Sequence, residues 1–258
     1  MPDIHPTAIV HSETELASDV SVGPYSVIGK GVRIGNGTRI MSHVVIEGPT
    51  VIGNRCTFFP FGSIGQIPQD LKFRGEHSEL IIGDQNVFRE FVTLHRGTSG
   101  GGAKTVVGNS NFFMAYAHVA HDCHIGNSII MANGATLAGH VQIEDHSTIG
   151  AFSGIHQHCR VGKYGFIGGY SVITKDVLPY SKTVGNRAHC YGINAVGLRR
   201  IGFDSSKING IRQAFRLLLQ AHLNTSQAVD AIKKEVAGSE EVLYLLEFIR
   251  NSKRGIIK

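Results

Sequence analysis

The sequence predicts an all-β parallel β-solenoid joined to a small C-terminal α-helical domain, and three observations carry that prediction. An apolar residue recurs every six positions from about residue 4 to 176, with two interruptions. Two positions before nearly every one stands a small or β-branched residue. From Asp204 the apolar spacing changes to the 3.6-residue period of helices.

The ladder begins at Val10 and continues through Leu16, Val22, Ile28, Ile34, Ile40, Ile46, Ile52, Phe58 and Ile64. It resumes at Ile82, Phe88 and Leu94, and again from Val107 through Val119, Leu137 and Ile155 to Ile173. Ala8, Ser26, Thr38, Cys56, Cys123 and Cys159 are among the small partners. A period of six is neither that of a helix nor that of a lone strand, and it fits a strand and turn forming one side of a coil. Three hexads close a triangular coil of 18 residues, stacked on the next at about 4.8 Å. Each buried rung contributes roughly 1.5–3 kcal/mol, so the core is thin but continuous. Glycines after the rungs, such as Gly23, Gly29, Gly35 and Gly53, are expected to relieve backbone angles at the turns.

Two interruptions, near residues 66–80 and 96–105, read as loops projecting from one face. The segment 176–180 reads as an exit turn and 181–203 as irregular. Ile208, Ile211, Phe215, Leu218 and Leu219 then share one helical face, with Asp204 or Ser205 as cap. Further helices are expected at 225–236 and 239–250. The organisation is thus a rod over 1–180 and a connector with helical domain over 181–258.

The composition is that of a folded protein: 258 residues, 17% charged, 32 glycines and no tryptophan. No apolar run approaches the roughly 20 residues that span a bilayer. Met1 to His5 lacks the regions of a signal peptide, so no membrane span and a cytoplasmic location are expected. The four cysteines show no metal-type spacing, and Cys123 and Cys159 read as core fillers in the rod. A net charge of +5 suits acidic partners without choosing among them, and no nucleic-acid module is present.

Fourteen histidines are many for this length. Val119, Leu137 and Ile155 are one coil apart, which places His118, His121, His140, His156 and His158 along one exposed edge. Three readings compete: solvated surface, a metal site and acid–base catalysis. No two of these histidines have the His-x-x-x-x-His spacing of zinc-binding solenoid enzymes. Histidine is the natural proton acceptor near neutrality. His121 is the favoured base because Asp122 follows it, provided that the chain bends there.

The stretches Gln69-Asp-Leu-Lys72, Leu94-His-Arg-Gly97, Ala117-His-Val-Ala-His-Asp122, Leu137-Ala-Gly-His140 and Ile155-His-Gln157 resemble the UDP-N-acetylglucosamine O-acyltransferases that begin lipid A biosynthesis. The resemblance extends to Gly-Leu-Arg-Arg at 197–200 and the helical tail. It implies a left-handed β-helix, a homotrimer and active sites between neighbouring rods. The implied reaction moves a 3-hydroxyacyl group from acyl carrier protein to the 3-hydroxyl of UDP-N-acetylglucosamine, with no cofactor and no metal. His121 then matches the general base, Asp122 its positioning partner and Gly139 the oxyanion donor. Gln69, Asp70, Lys72, His95, His118, His140, His156 and Gln157 match substrate-contacting positions. Asn194 and Arg200 match nucleotide contacts, and Gly169 matches the acyl-chain ruler, where a glycine implies a longer chain. Val196, Ile201 and Arg187 depart from the family pattern around the nucleotide.

A 3-amino sugar is an alternative acceptor, since an amine also needs a base. The related N-acyltransferase normally carries an extra N-terminal domain, whereas the hexads here begin by residue 10. A metal-dependent hydratase and a non-enzymatic binding solenoid are the readings from other classes.

Overall fold

The computed structural model describes residues 1–220, 222–236 and 238–258. Each coil contributes three short strands, so three flat parallel sheets run along the rod. The first sheet runs from Asp3–Ile4 to Ser181–Val184, the second from Ile9–Val10 to Val172–Ile173, and the third from Glu15–Leu16 to Arg160–Val161. Strand register follows the 18-residue coil: Val10 aligns with Ile28, Val119 with Leu137, and Leu137 with Ile155. The rungs from Val22 to Ile173 are at most 4% exposed. Phe58, Phe88 and Phe113 stack inside the rod with ring centroids 4.7 and 4.8 Å apart.

The small residues do more than fill the bend. Ser26 Oγ donates to the Met41 carbonyl at 2.7 Å, and Thr38 Oγ1 to Gly53 at 3.0 Å. Cys56, Cys123 and Cys159 are buried free thiols at the same kind of position. Burial pushes the Cys123 thiol up to about 12 and the Cys159 thiol up to about 11.

The glycine expectation needs correction. Gly23, Gly29, Gly35 and Gly53 do not have positive φ. They are glycines because a Cβ would meet the next coil: at Gly23 it would lie 2.8 Å from the Met41 carbonyl carbon. The left-handed corner positions are held largely by other residues. Tyr25, Phe61 and Tyr116 hold them between the first and second sheets, Asp122, His140 and His158 between the second and third, and Gln85, His146 and Tyr164 between the third and first. Such angles are costly without glycine, so coil closure enforces them.

The third-to-first corner also carries an amide spine. Asn54 Oδ1 accepts from Asn36 N, Asp84 Oδ1 from Asn54 N and Asn109 Oδ1 from Asp84 N, at 2.9, 2.7 and 2.7 Å. Asn127 and Asp145 extend it, each accepting at 2.8 Å.

The stretch expected to be an exit turn and irregular connector is ordered. Ser181–Val184 adds a further strand to the first sheet, and His189–Ile193 pairs antiparallel with it. The rung there is Thr183, buried but polar, which hid it from an apolar count. Residues Ala195–Arg200 form a short helix, α1. Helices α2 (Ser205–Gln220), α3 (Thr225–Glu235) and α4 (Glu240–Arg250) follow. Asp204 Oδ1 accepts from Lys207 N at 2.8 Å, Asn224 makes a capping box and Ser239 caps α4. Ile208, Ile211, Phe215 and Leu218 pack with Leu245 and Ile249, and Leu219 lies against them. The chain then returns to the rod, where Ile257 joins the solenoid core.

Candidate active site

The corner between the second and third sheets concentrates the chemistry. The chain leaves His118–Val119, turns, and re-enters a sheet at His124–Ile125. Asp122 sits at the turn with φ 59°. This bend brings two adjacent side chains to the same side, so His121 Nδ1 lies 2.7 Å from Asp122 Oδ2.

Asp122 is 2% exposed and held from several directions. Thr98 N donates to its Oδ1 and Thr98 Oγ1 to its Oδ2, both at 2.7 Å. Its own amide donates to Thr105 Oγ1 at 2.8 Å. Both threonines come from the second interruption, which therefore clamps the carboxylate. Gly101 completes the clamp, because a Cβ there would lie 2.0 Å from the Asp122 carboxyl carbon. With Nδ1–H donating to Asp122, the tautomer of His121 leaves Nε2 as the basic nitrogen. Gly139 faces that ring: a Cβ at Gly139 would fall 2.7 Å from His121 Nε2. Among the described residues, no acceptor takes the Gly139 amide.

The other histidines divide into two groups. His140 packs edge-on to His121 at 5.2 Å and stacks on His158 at 4.4 Å. Burial lowers the His140 pKa, opposed by the charges of Asp122 and, more weakly, Asp70. The effect of Asp70 ties the first interruption to this corner. Asp70 Oδ1 accepts from Lys72 N at 2.9 Å, and Gln69 and Lys72 are exposed. His118 instead lies on the second sheet, with Nδ1 2.7 Å from Thr93 Oγ1 and its ring 5.1 Å from His95. Burial brings His95 down to about 4 and lowers His118 as well. The expected single exposed edge is thus a corner plus a sheet face, and His118, His121 and His140 are half-buried. His156 and Gln157 are exposed on the next turn.

Gly169, Asn194 and Arg200 do not join His121 within one chain. Gly169 is at the turn from the first to the second sheet. Asn194 caps α1, and Arg200 is at its end. Both line a groove of about 760 Å³ on the first-sheet side, with Val196 and Ile201 in its wall. A second cavity, about 530 Å³, opens beside Asp122, His140 and His158 and reaches Arg160 and Arg254.

The sequence reading missed Thr98, Thr105, Gly101 and Thr93. Insertions break the 18-residue count, so nothing in the spacing links Thr98 to Asp122. His121, Asp122 and His140 also present ligand atoms within 4.8 Å of one another, a set able to hold a cation. The bonds already made to Asp122 by Thr98 and His121 favour its use as an orienting carboxylate.

A hexad rod with a carboxylate-held histidine at one corner defines a hexapeptide-repeat transferase. The bacterial transferase hexapeptide profile matches residues 104–139 and 140–175, and the second domain of UDP-N-acetylglucosamine O-acyltransferase matches 176–257. An acyl-[acyl-carrier-protein]--UDP-N-acetylglucosamine O-acyltransferase from Thermodesulfovibrio yellowstonii is 50% identical over 258 residues, covering 100% of both chains. Its Myxococcus xanthus counterpart is 48% identical with the same coverage. A solved UDP-N-acetylglucosamine acyltransferase from Bacteroides fragilis superposes with TM-score 0.97 at 43% identity, covering 98% of this chain and 99% of that one. This chain belongs to the UDP-N-acetylglucosamine O-acyltransferase family. Its rod is a left-handed parallel β-helix with a small helical C-terminal part, as the sequence resemblance implied.

Proposed function

We infer that the protein transfers an (R)-3-hydroxyacyl group from acyl carrier protein to the 3-hydroxyl of UDP-N-acetylglucosamine, the first step of lipid A biosynthesis. The observation that carries the mechanism is the His121–Asp122 pair facing Gly139. His121 Nε2 takes the sugar hydroxyl proton as the oxygen attacks the thioester carbonyl. The Gly139 amide donates to the oxyanion. Collapse breaks the C–S bond, and the imidazolium returns its proton to the departing thiolate. Asp122 keeps the ring in the productive tautomer and balances the charge formed on it. The step needs no cofactor and no metal, so treatment with a chelator is expected to leave turnover unchanged.

Lys72 and Asp70, with Gln69, act from the loop over the corner. His95, His118, His140, His156 and Gln157 shape the acceptor and acyl sites around it. Asn194 and Arg200 hold the nucleotide in the first-sheet groove, and Gly169 leaves room for a longer acyl chain. A homotrimer brings the groove of one rod to the histidine corner of the next. Support comes from the separation of these groups within one chain and from an exposed aromatic edge. Tyr25, Phe61, Phe91, Tyr116, Phe152 and Tyr170 are 41–72% exposed along a single corner. No helix among the described residues is long and apolar enough to cross a membrane. The cytoplasm is the location that suits both substrates.

Turnover by His121→Ala with acyl carrier protein thioesters and UDP-N-acetylglucosamine tests this reading. Near-wild-type product from that variant overturns the base assignment. Mass spectrometry of products from donors of several lengths, with hydroxyl and amine acceptors, reads chain length and acceptor.

A further inference from the structure

We propose that Lys182 is a further substrate-binding residue, supplying positive charge to the diphosphate of the nucleotide sugar from the strand facing Arg200. The proposal rests on the reading of the first-sheet groove as the nucleotide site. It adds a residue outside the positions that the family resemblance marks.

The placement follows from strand alternation. In Ser181–Val184 the side chains of Ser181 and Thr183 are buried and Lys182 is exposed, so Lys182 points away from the core. Its register partner is Phe166, which pairs in turn with Thr148, and Thr148 with Ile130. Lysine therefore ends an outward column that is mostly apolar and lines the groove. The opposite wall is α1, anchored to the strand region by Asn194 N donating to Tyr180 O at 2.7 Å. Arg200 lines the groove from that helix.

Among the described residues, the groove lining contains no carboxylate, and neither Lys182 nor Arg200 is in an ion pair. Two unpaired cations over a partly aromatic wall suit a ligand with a flat ring at one end and phosphates at the other. Arginine binds phosphate with a planar fork, and lysine adds a mobile point charge. Val196 and Ile201 add apolar wall and no charge, so Lys182 fills a need for positive charge that the helix meets with Arg200.

The test uses the intact protein and UDP alone, with uridine as the uncharged control. Lys182→Met keeps most of the aliphatic stem and removes the charge. Its affinity for UDP is expected to fall roughly two- to fivefold at low salt, as for a solvent-exposed charge contact. Uridine affinity should not move, and the UDP deficit should shrink as salt shortens the screening length. In turnover, the KM for UDP-N-acetylglucosamine rises by the same factor, while kcat and the KM for the acyl carrier protein thioester hold. Lys182→Arg restores binding. Wild-type UDP affinity in Lys182→Met, alongside weakened binding in Arg200→Ala, overturns the role of Lys182 and leaves the groove standing. Unchanged UDP affinity in both variants overturns the groove reading and the proposal together. Equal loss of UDP and uridine binding in Lys182→Met marks a structural effect and also overturns it.

Discussion

Two corners of the same rod carry polar side chains and use them in opposite ways. At the corner between the third and first sheets, Asn54, Asp84, Asn109, Asn127 and Asp145 each accept a hydrogen bond from backbone of the preceding coil. At the corner between the second and third sheets, Asp122 is bonded by an inserted loop and by His121, and the rings of His140 and His158 stack without closing a spine. The first corner satisfies its polar groups inside the solenoid and holds coils together. The second leaves the basic nitrogen of His121 beside Gly139, whose amide no acceptor among the described residues takes. Repeat position alone does not separate structure from chemistry; where the hydrogen bonds end does.

The sharpest break of this comparison is His121→Ala. Turnover is expected to fall by about 10²–10⁴-fold with little change in melting temperature, because the side chain packs at a half-open corner. Steady-state kinetics with a thermal melt checks both. Thr98→Val comes next. It removes one of the bonds that fix Asp122, and kcat is expected to drop roughly tenfold, with about 1–2 kcal/mol lost in stability. A wild-type kcat would mean that the clamp does not position His121 for turnover.

The spine gives the reciprocal result. Asn109→Ala removes an acceptor for Asp84 N and should cost about 1 kcal/mol, read as a melting temperature lower by about 2–4 °C. Its kcat at 25 °C should stay at the wild-type level. A further effect concerns pH. Burial holds folded His95 down to about 4, below its ordinary 6.5. The unfolded chain therefore binds more protons between those values, so stability rises with pH there and falls on acidification from 6.5 towards 4. His118 and His140, lowered in the same direction, add to this slope. Urea melts at several pH values should show a shallower acid slope for His95→Gln than for the wild type.

Much of this contrast was legible in the sequence. The 18-residue coil placed Val119, Leu137 and Ile155 in register, and the adjacency of His121 and Asp122 pointed to a pair if the chain bent there. The Thr98 clamp was illegible because an insertion carries no register. The strand at 181–184 was hidden because its buried rung is Thr183, not an apolar residue. The amide spine was passed over because asparagine and aspartate in turns read as ordinary turn formers. The glycine rule misled in a similar way: closeness between coils, not backbone angle, selects Gly23 and Gly53.

The interruptions leave the rungs in register apart from one irregularity between Ile64 and Gln66, since Ser63 still pairs with Thr93, and Thr93 with His118. The rod therefore behaves as a rack of constant pitch whose brackets are interchangeable. Closing a longer loop costs only as the logarithm of its length. A lineage can then recut what hangs over Asp122 and His140 to suit another carrier or acyl chain, while the shelf that holds His121 stays at the same height.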